Sequence, residues 1–547
     1  MKILLTTVFR PFGVENKYNK KGDEFLLDYL ASRLTKEPGL FSLSSYVPNS
    51  GLHLIAANLP VETKVMENPT LEEFFAEIKK GYDYVGISFM IKGFRKVFHM
   101  ISLTRKHSPG TKIVIGGFGT ALHNIEDLGA DYVCEGEGVR FMRQLLGLPT
   151  DTPMIHPVVS ADVTLKVLQG YDFMEKAKMG LLTSGFGCPN ACEFCCTSAY
   201  YGHKHIPFMK NGAELYQAML YMHNKTGISR FLIFEEDFLL YRKTVRELGQ
   251  AIQADSEHHF TYFCFASIKA LAQYDLEELV TMGLGHVWIG IESREPPFQK
   301  RFGRDIEETF KQLHQLGVTT TGSVIFGLEH HTPENLRDEV DFVIKLSPST
   351  VQLSNLMAAE GTALRERLEK ENRIRKIGFK DADLYSEIIT HPNFAAGEIP
   401  AAINAGYERI YNTIGPSLFR VLSTWYSGHQ RLRESGDARL RRRAEELKEM
   451  IMGVYPVFLN TSRYLPNEDI AWAVQATLED IFADFGPPGA KQENMGKLIG
   501  KIFELEAAKR EYLEPKPIEP PTLITRYDNR VFEESARFFN AESGGKP

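Results

Sequence analysis

Two rhythms of apolar and polar positions alternate along much of the chain. Short β-branched apolar runs read as buried strands. Between them, apolar positions recur every three to four residues, as on one face of a helix. In residues 1–148 the strands fall at Ile3–Val8, Thr63–Met66, Asp83–Phe89, Lys112–Gly117 and Ala130–Cys134. Helical stretches at Gly51–Asn58, Leu71–Lys80 and Phe94–Lys106 separate them, the last closed by Pro109-Gly110. This alternation predicts an α/β domain with a doubly wound, Rossmann-like parallel sheet, whose ligand sits at the carboxyl ends of the strands. An insertion at Asn16–Val47, with a helix at Asp23–Leu34, follows the first strand. It reads either as part of a substrate entrance or as a decorated surface loop.

From Leu181 the alternation resumes with new lengths. Strands follow at Leu181-Leu182, Phe231–Phe234, Phe260–Ala266, Val287–Ser293, Thr320–Phe326 and Val351–Asn355. Helices at Asn211–Lys225, Thr244–Ala254, Leu276–Met282, Ile306–Leu316 and Asn335–Leu346 join them. Six such units predict an open, partial (β/α)6 barrel over residues 181–373, with its active site at the carboxyl ends of the strands. Residues 149–180 are proline-bearing and weakly periodic, and read as a linker. Over residues 374–547 the strand signal fades. Helices are predicted at Ile399–Ile414, Pro416–Ser427, Arg439–Ile451, Glu468–Phe485 and Gly496–Tyr512. This mainly α-helical C-terminal domain is expected to cover the barrel mouth and shape a substrate pocket. Glu514–Pro521 reads as an extended tail, and Leu523, Tyr527 and Phe532 would let the last segment pack back.

Composition narrows this picture only slightly. The 547 residues carry a net charge of −7, which gives no global argument for nucleic-acid binding. No apolar run is long enough to span a bilayer, and the N-terminus reads as a strand, not a signal peptide. Six cysteines in so long a chain make no disulfide framework, so a reducing, cytoplasmic location is expected. Arg431, Arg433, Arg439, Arg441, Arg442 and Arg443 cluster at helix ends, either as a contact for an anionic lipid surface or acidic substrate, or as a solvated helix face diluted by Glu445, Glu446 and Glu449.

The candidate chemistry lies just after the first barrel strand, in Thr183-Ser184-Gly185-Phe186-Gly187-Cys188-Pro189-Asn190-Ala191-Cys192-Glu193-Phe194-Cys195. Three thiolates in a C-x3-C-x2-C spacing can hold three irons of a 4Fe-4S cube and leave the fourth iron open. The competing readings are a zinc site, for which no second C-x2-C exists, and scattered structural cysteines. Cys196 points away from its neighbour and is not read as a fourth ligand, and Cys134 and Cys264 read as small buried hydrophobes. Two further strand ends carry acids: Glu235-Glu236-Asp237 after the second barrel strand, and Glu292-Ser293 after the fourth. An acid at such a position suits a cationic amino group or a ribose diol, or else pairs with a neighbouring Lys or Arg. Gly116-Gly117, ending a strand of the first domain, allows close approach of a large ligand or simply makes a tight turn.

The cysteine spacing, with Phe194 before the last cysteine, resembles the signature of the radical S-adenosylmethionine (SAM) family. The Val85-Gly86-Ile87-Ser88 strand, the Gly116-Gly117 turn and the Asp131-Tyr132-Val133-Cys134-Glu135-Gly136-Glu137 exit resemble the cobalamin (B12)-binding domain that precedes many radical SAM modules. The resemblance implies a 4Fe-4S cluster on Cys188, Cys192 and Cys195, SAM on its open iron, and cobalamin entering by Gly116 and Gly117. It implies that Glu235-Glu236-Asp237-Phe238 meets the methionyl end of SAM, with Glu235 and Glu236 as its acids, and that Glu292 and Ser293 face its ribose. Gly327 and Glu360-Gly361-Thr362 also match, whereas Leu328-Glu329-His330-His331-Thr332 departs from the pattern. The family's D-x-H-x-x-G, which supplies a histidine to cobalt, is absent. His53, His99, His107 and His123 lie in helical stretches and read as surface or packing residues. The implied activity is cobalamin-dependent methylation of an unactivated carbon, through a 5′-deoxyadenosyl radical, on a small-molecule, lipid or peptide substrate. Flavodoxin or ferredoxin would donate the electron, and peripheral membrane contact is compatible with this reading. Ring closure, ring contraction or oxidation without methyl transfer is the enzymatic alternative; a redox or cobalamin sensor is the alternative from another class.

Overall fold

Continuous burial along the first strands marks a sheet covered on both faces. In the computed structural model, which describes residues 1–12, 16–18, 36–168, 176–295, 303–382, 384–513, 519–528, 532–534 and 538, strand β1 spans Lys2–Thr7. The elements that follow are β2 (Leu43–Tyr46), α1 (Ser50–Ala57), β3 (Glu62–Glu67), α2 (Leu71–Ile78), β4 (Tyr84–Ser88), α3 (Phe94–His107), β5 (Lys112–Gly116), β6 (Tyr132–Cys134) and α4 (Gly138–Leu145). Leu4, Val85, Ile87, Ile113 and Ile115 turn to one face, against Phe74, Ile78, Val97 and Met100 of α2 and α3. Ile3, Leu5, Val65 and Val114 turn to the other, against Leu52, Ala56 and Met142 of α1 and α4. Strands β3-β1-β4-β5-β6 are all parallel and run in that spatial order. The order reverses between β1 and β4, the crevice where open α/β sheets bind ligands.

The second sheet holds the barrel. Its elements are β7 (Ser160–Leu165), β8 (Ala177–Leu182), a two-residue ladder of β9 (Gly185–Phe186) and β10 (Ile206–Pro207), α5 (Cys196–Tyr200), α6 (Gly212–Thr226), β11 (Arg230–Ile233), α7 (Arg242–Ala254), β12 (Thr261–Ala266), α8 (Leu276–Thr281), β13 (Leu284–Glu292), α9 (Ile306–Gln315), β14 (Thr319–Phe326), α10 (Asn335–Leu346) and β15 (Thr350–Asn355). Strands β8, β11, β12, β13, β14 and β15 are each parallel to the next, as the alternation predicts. The stretch read as a linker adds more than a connection. Its strand β7 pairs antiparallel with β8, and β2, from the insertion, pairs antiparallel with β7. Prolines mark the approach to β7 but lie outside it, so its backbone donors stay intact. The insertion's predicted helix at 23–34 lies outside the described residues.

The C-terminal helices are α11 (Ala363–Lys370), α12 (Glu398–Ile414), α13 (Ser417–Leu432), α14 (Ala438–Val454), α15 (Glu468–Phe485) and α16 (Ala490–Tyr512). Helices α13 and α14 do not cover the barrel mouth as expected. Arg420 Nε donates to Pro348 O at 2.9 Å, Gly428 packs on Gly317, and His259 Nδ1 lies 2.8 Å from Glu446 Oε1. Pro348, Gly317 and His259 immediately precede β15, β14 and β12, so α13 and α14 close the amino ends of the strands, opposite the cysteine loop. Helix α12 guards the sheet edge: Tyr407 OH accepts from Leu353 N at 2.7 Å on β15. The mouth is bordered instead by residues 356–382 and 384–397, where Leu364 N donates to Glu193 O at 3.0 Å.

Four of the clustered arginines are engaged within the protein. Arg439 and Arg442 donate to the carbonyls of Asp255 and Ser256, Arg443 pairs with Glu446 at 3.0 Å, and Arg433 with Asp484 at 3.3 Å. The last segment does pack back. Leu523–Tyr527 adds an antiparallel strand to β3, and Tyr527 OH meets His53 Nδ1 at 2.8 Å while His53 Nε2 lies 2.9 Å from Glu67. His53 is therefore a buried packing residue. Residues 514–518 of the proline-rich tail lie outside the description. Among the described residues no helix is long and apolar enough to cross a membrane.

Candidate functional site

The cysteine loop leaves β8 at its carboxyl end and is shaped by local backbone requirements. Gly187 has φ +84, and a Cβ there would lie 2.1 Å from Lys204 O. Cys188 is buried, whereas Cys192 and Cys195 are half-buried. Cys195 N donates to Cys192 O at 3.0 Å, and Cys195 Sγ caps α5 by accepting from Ser198 N at 3.5 Å. Ser198 Oγ then donates to Cys188 O at 2.6 Å, so both ends of the loop are tied to the same helix. Burial pushes the Cys188 thiol up to about 12; metal binding there must displace its proton. Among the described residues the donor trios close enough to share one ion are His330–His331–Glu339 and His123–Glu360–Glu369, and the three cysteines are not such a trio. Spaced thiols on one loop suit a polynuclear cluster, with one iron per thiolate, better than a single zinc ion.

The three acids after β11 separate into three environments. Asp237 braces the loop, accepting from Asn190 Nδ2 at 2.8 Å and from Ser267 N at 2.9 Å. Glu235 is buried, accepts from Ser184 Oγ, and lies 2.9 Å from His205 Nε2. Glu236 is half-buried, and its Oε2 has no hydrogen-bond partner. Burial, reinforced by the neighbouring Glu235 charge, pushes the Glu236 carboxyl up to about 7. An acid so placed is suited to a cationic ligand group, which would favour its ionised form.

At the end of β13, Glu292 is buried at φ +63, beside a register shift against β14. A left-handed acid at a strand end is strained backbone of the kind functional sites retain. Ser293 is fully buried, and its Oγ donates to Glu339 Oε1 at 2.7 Å. Glu339 Oε2 accepts from Arg294 N at 2.7 Å. Burial alone would raise the Glu339 carboxyl, but bonds from His331, Ser293 and Arg294 hold it below the usual range. His331 Nδ1 accepts from Gly327 N at 3.1 Å and Leu328 N at 3.2 Å, so the departure from the family pattern is a brace between the loops after β13 and β14. The engagement of both His331 nitrogens makes that trio a hydrogen-bonded unit and not an ion site.

Phe194 packs at the mouth against the cluster of Leu328, Leu356, Leu364 and Leu368. Gly117, at φ +89, is required by the fold itself: a Cβ would stand 2.7 Å from Phe89 O. Gly116 differs, since its added Cβ would make only an ordinary 3.6 Å contact with Cys134, and at Gly136 nothing lies within 4 Å. The rim of the first sheet thus tolerates a Cβ at Gly116 and keeps open space beside Gly136, compatible with a large ligand. Helix α5 reaches this rim. Tyr200 OH donates towards Gly117 O and Cys134 O, each at 3.4 Å, and shares a 3.0 Å hydrogen bond with Thr120, while Phe118 packs on its ring. Sequence reading missed Ser184, Asn190, Tyr200 and His205, which lack a motif of their own; their roles arise from the loop's folding.

Comparison with known proteins agrees with this arrangement. The family model for the radical SAM superfamily matches residues 182–343, and that for the B12 binding domain matches residues 33–146. A hopanoid C-2 methylase from Rhodopseudomonas palustris is 24% identical over 371 residues, covering 62% of this chain and 69% of its own. An uncharacterized methyltransferase from Pyrococcus horikoshii is 20% identical over 452 residues, covering 75% of this chain and 92% of its own. The structure of the radical S-adenosylmethionine methyltransferase TsrM from Kitasatospora setae, with cobalamin and a 4Fe-4S cluster bound, aligns with 93% of this chain and 99% of its own, at 14% identity and a TM-score of 0.49. The chain is thus a radical SAM enzyme with a B12 binding domain, similar to methyltransferases of that kind, and its cofactors are a 4Fe-4S cluster, SAM and cobalamin.

Proposed function

We propose that this enzyme methylates an unactivated carbon of its substrate. The observation that carries the reading is the reach of one loop. The candidate cluster thiols stand at the carboxyl end of the first barrel strand, and the helix capped by Cys195 ends in Tyr200, bonded to the carboxyl ends of β5 and β6. The cluster site and the cobalamin rim therefore border one space. When bound, the cluster and SAM supply a one-electron cleavage able to activate a C–H bond, and cobalamin supplies a transferable methyl group. Cys188, Cys192 and Cys195 hold the cluster and leave one iron for SAM. Glu236 receives the SAM ammonium, with Glu235 behind it on Ser184 and His205. Glu292 accepts from the ribose hydroxyls, and Ser293 fixes the Glu292 turn through Glu339. Phe194 shields the cluster from the mouth side, while Gly116 and Gly117 border the cobalamin.

The substrate is a small molecule, lipid or peptide, and the similarity to a hopanoid methylase adds weight to a lipid. A one-electron donor of the flavodoxin or ferredoxin type completes the system. The six free cysteines fit a reducing compartment. Metabolite comparison of a deletion strain with its parent tests the reading. The parent should contain a compound heavier by one methylene than its counterpart in the deletion strain. A difference confined to hydrogen loss or ring rearrangement would contradict it.

A further inference from the structure

The two faces of the barrel sheet differ in what they bury. On the convex face Cys264, Ile289, Val324 and Leu353 lie in the main core. The alternate positions turn inward, where Phe234, Phe263, Phe265 and Trp288 gather around Leu181 and Leu232. Their rings form one wall: Phe234 to Phe265 at 6.1 Å, Phe265 to Trp288 at 5.3 Å, and Phe263 to Trp288 at 6.5 Å. Although they stand mid-sheet, Phe234, Phe265 and Trp288 keep part of their surface exposed.

The facing wall, from β14 and β15, presents Ser323 and Gln352, adjacent in register and also partly exposed. Neither side chain has a hydrogen-bond partner among the described residues. Below them the floor is closed and satisfied. His286 meets Thr319 Oγ1 at 2.7 Å and Thr321 Oγ1 at 2.9 Å, and Thr321 meets Thr350 at 2.6 Å. Between this floor and the acids of the rim, the inward positions of β8 and β11 to β15 carry no Asp, Glu, Lys or Arg.

These walls select chemistry. A charged group entering would lose hydration and find no counter-ion. A flat apolar body would gain from the aromatic wall. A hydroxyl and a primary amide together offer both donors and acceptors to an uncharged polar group. We propose that the barrel interior is the substrate site, and that it takes an uncharged, ring-bearing molecule with a hydroxyl or carbonyl group. The ring lies on Phe265 and Trp288, and the polar group meets Ser323 and Gln352. Any charged part of a larger substrate stays at the mouth. That the bound molecule is the methyl acceptor rests on the function proposed above; the binding preference does not.

Equilibrium dialysis of the reconstituted holoenzyme, saturated with SAM, tests this with naphthol, naphthoate and naphthylmethylammonium as probes. Naphthol should bind at least about tenfold more tightly than either ion. Trp288→Leu should weaken naphthol about tenfold, and Gln352→Leu should weaken naphthol but not naphthalene. Both variants should keep wild-type SAM affinity and cluster absorbance, which reports that they fold. Binding indifferent to charge, no binding of naphthol, unchanged affinity in both variants, or mutual displacement of naphthol and SAM would each overturn the proposal. Failure of methyl transfer alone would instead refute the proposed function and leave the binding preference standing.

Discussion

Replacing Glu236 by Gln separates two effects that share one side chain. In the folded apoprotein burial holds this carboxyl up to about 7, against 4.5 for the free group. A raised folded pKa means that the associated stability is fully present below the unfolded value and is lost as pH rises through about 7. Because one pKa unit is about 1.4 kcal/mol and the side chain keeps some solvent contact, the ionised carboxylate costs roughly 2 kcal/mol near pH 8. Gln keeps the shape without the charge. The apo variant should therefore melt at a higher temperature than wild type near pH 8, with the difference shrinking towards zero near pH 4.5. Binding should move the other way. Loss of the partner to the SAM ammonium in a part-buried site should cost about 2–4 kcal/mol, or roughly 30- to 1,000-fold in Kd. Differential scanning fluorimetry across pH, with calorimetric titration of SAM, reads both. A variant that binds SAM within about threefold of wild type (under 1 kcal/mol by the affinity relation), or a melting difference that does not grow with pH, would refute the assignment.

Other substitutions separate site from scaffold. Gly117→Ala places a Cβ 2.7 Å from Phe89 O at a left-handed φ and should destabilise by about 1–3 kcal/mol in thermal melts. Gly116→Ala, with only an ordinary contact to Cys134, should fold normally but retain less cobalamin, read from the corrin absorbance of desalted protein. Cys196→Ala should keep the iron content and EPR signal of wild type, whereas alanine at Cys188, Cys192 or Cys195 should abolish the signal. His331→Leu removes the acceptor for two backbone N–H groups and should cost about 2–4 kcal/mol, with faster amide exchange at Gly327 and Leu328 while α1 is unaffected.

The elements were legible where the chain repeats a physical pattern. Ile113-Val114-Ile115 is buried on both faces, so it reads as a central parallel strand, and the six barrel strands carry similar apolar runs. The cysteine spacing was legible because ligand chemistry fixes it locally. Strand β7 was not, because it follows prolines, has few apolar residues and pairs antiparallel on both sides. The seat of α13 and α14 was also hidden. Their apolar faces announce a packing surface but not which end of the barrel supplies it; Gly428 on Gly317 and Arg420 on Pro348 decide that only in three dimensions. Within the site, adjacency in sequence concealed differences in role. Glu235, Glu236 and Asp237 look alike as a triplet, yet each faces a separate set of partners. The substrate walls were equally hidden, because strand periodicity marks which residues share a face but not whether that face stays open.

The most direct measurement is the fate of the SAM methyl group. Reduced enzyme carrying its cluster and cobalamin would be incubated with methyl-deuterated SAM and extract from the deletion strain, then followed by mass spectrometry. The predicted result is a new metabolite carrying the labelled methyl group on carbon, formed together with 5′-deoxyadenosine and absent from the Cys192→Ala enzyme. Formation of 5′-deoxyadenosine with no labelled carbon product, or an equal product from the Cys192→Ala enzyme, would contradict it.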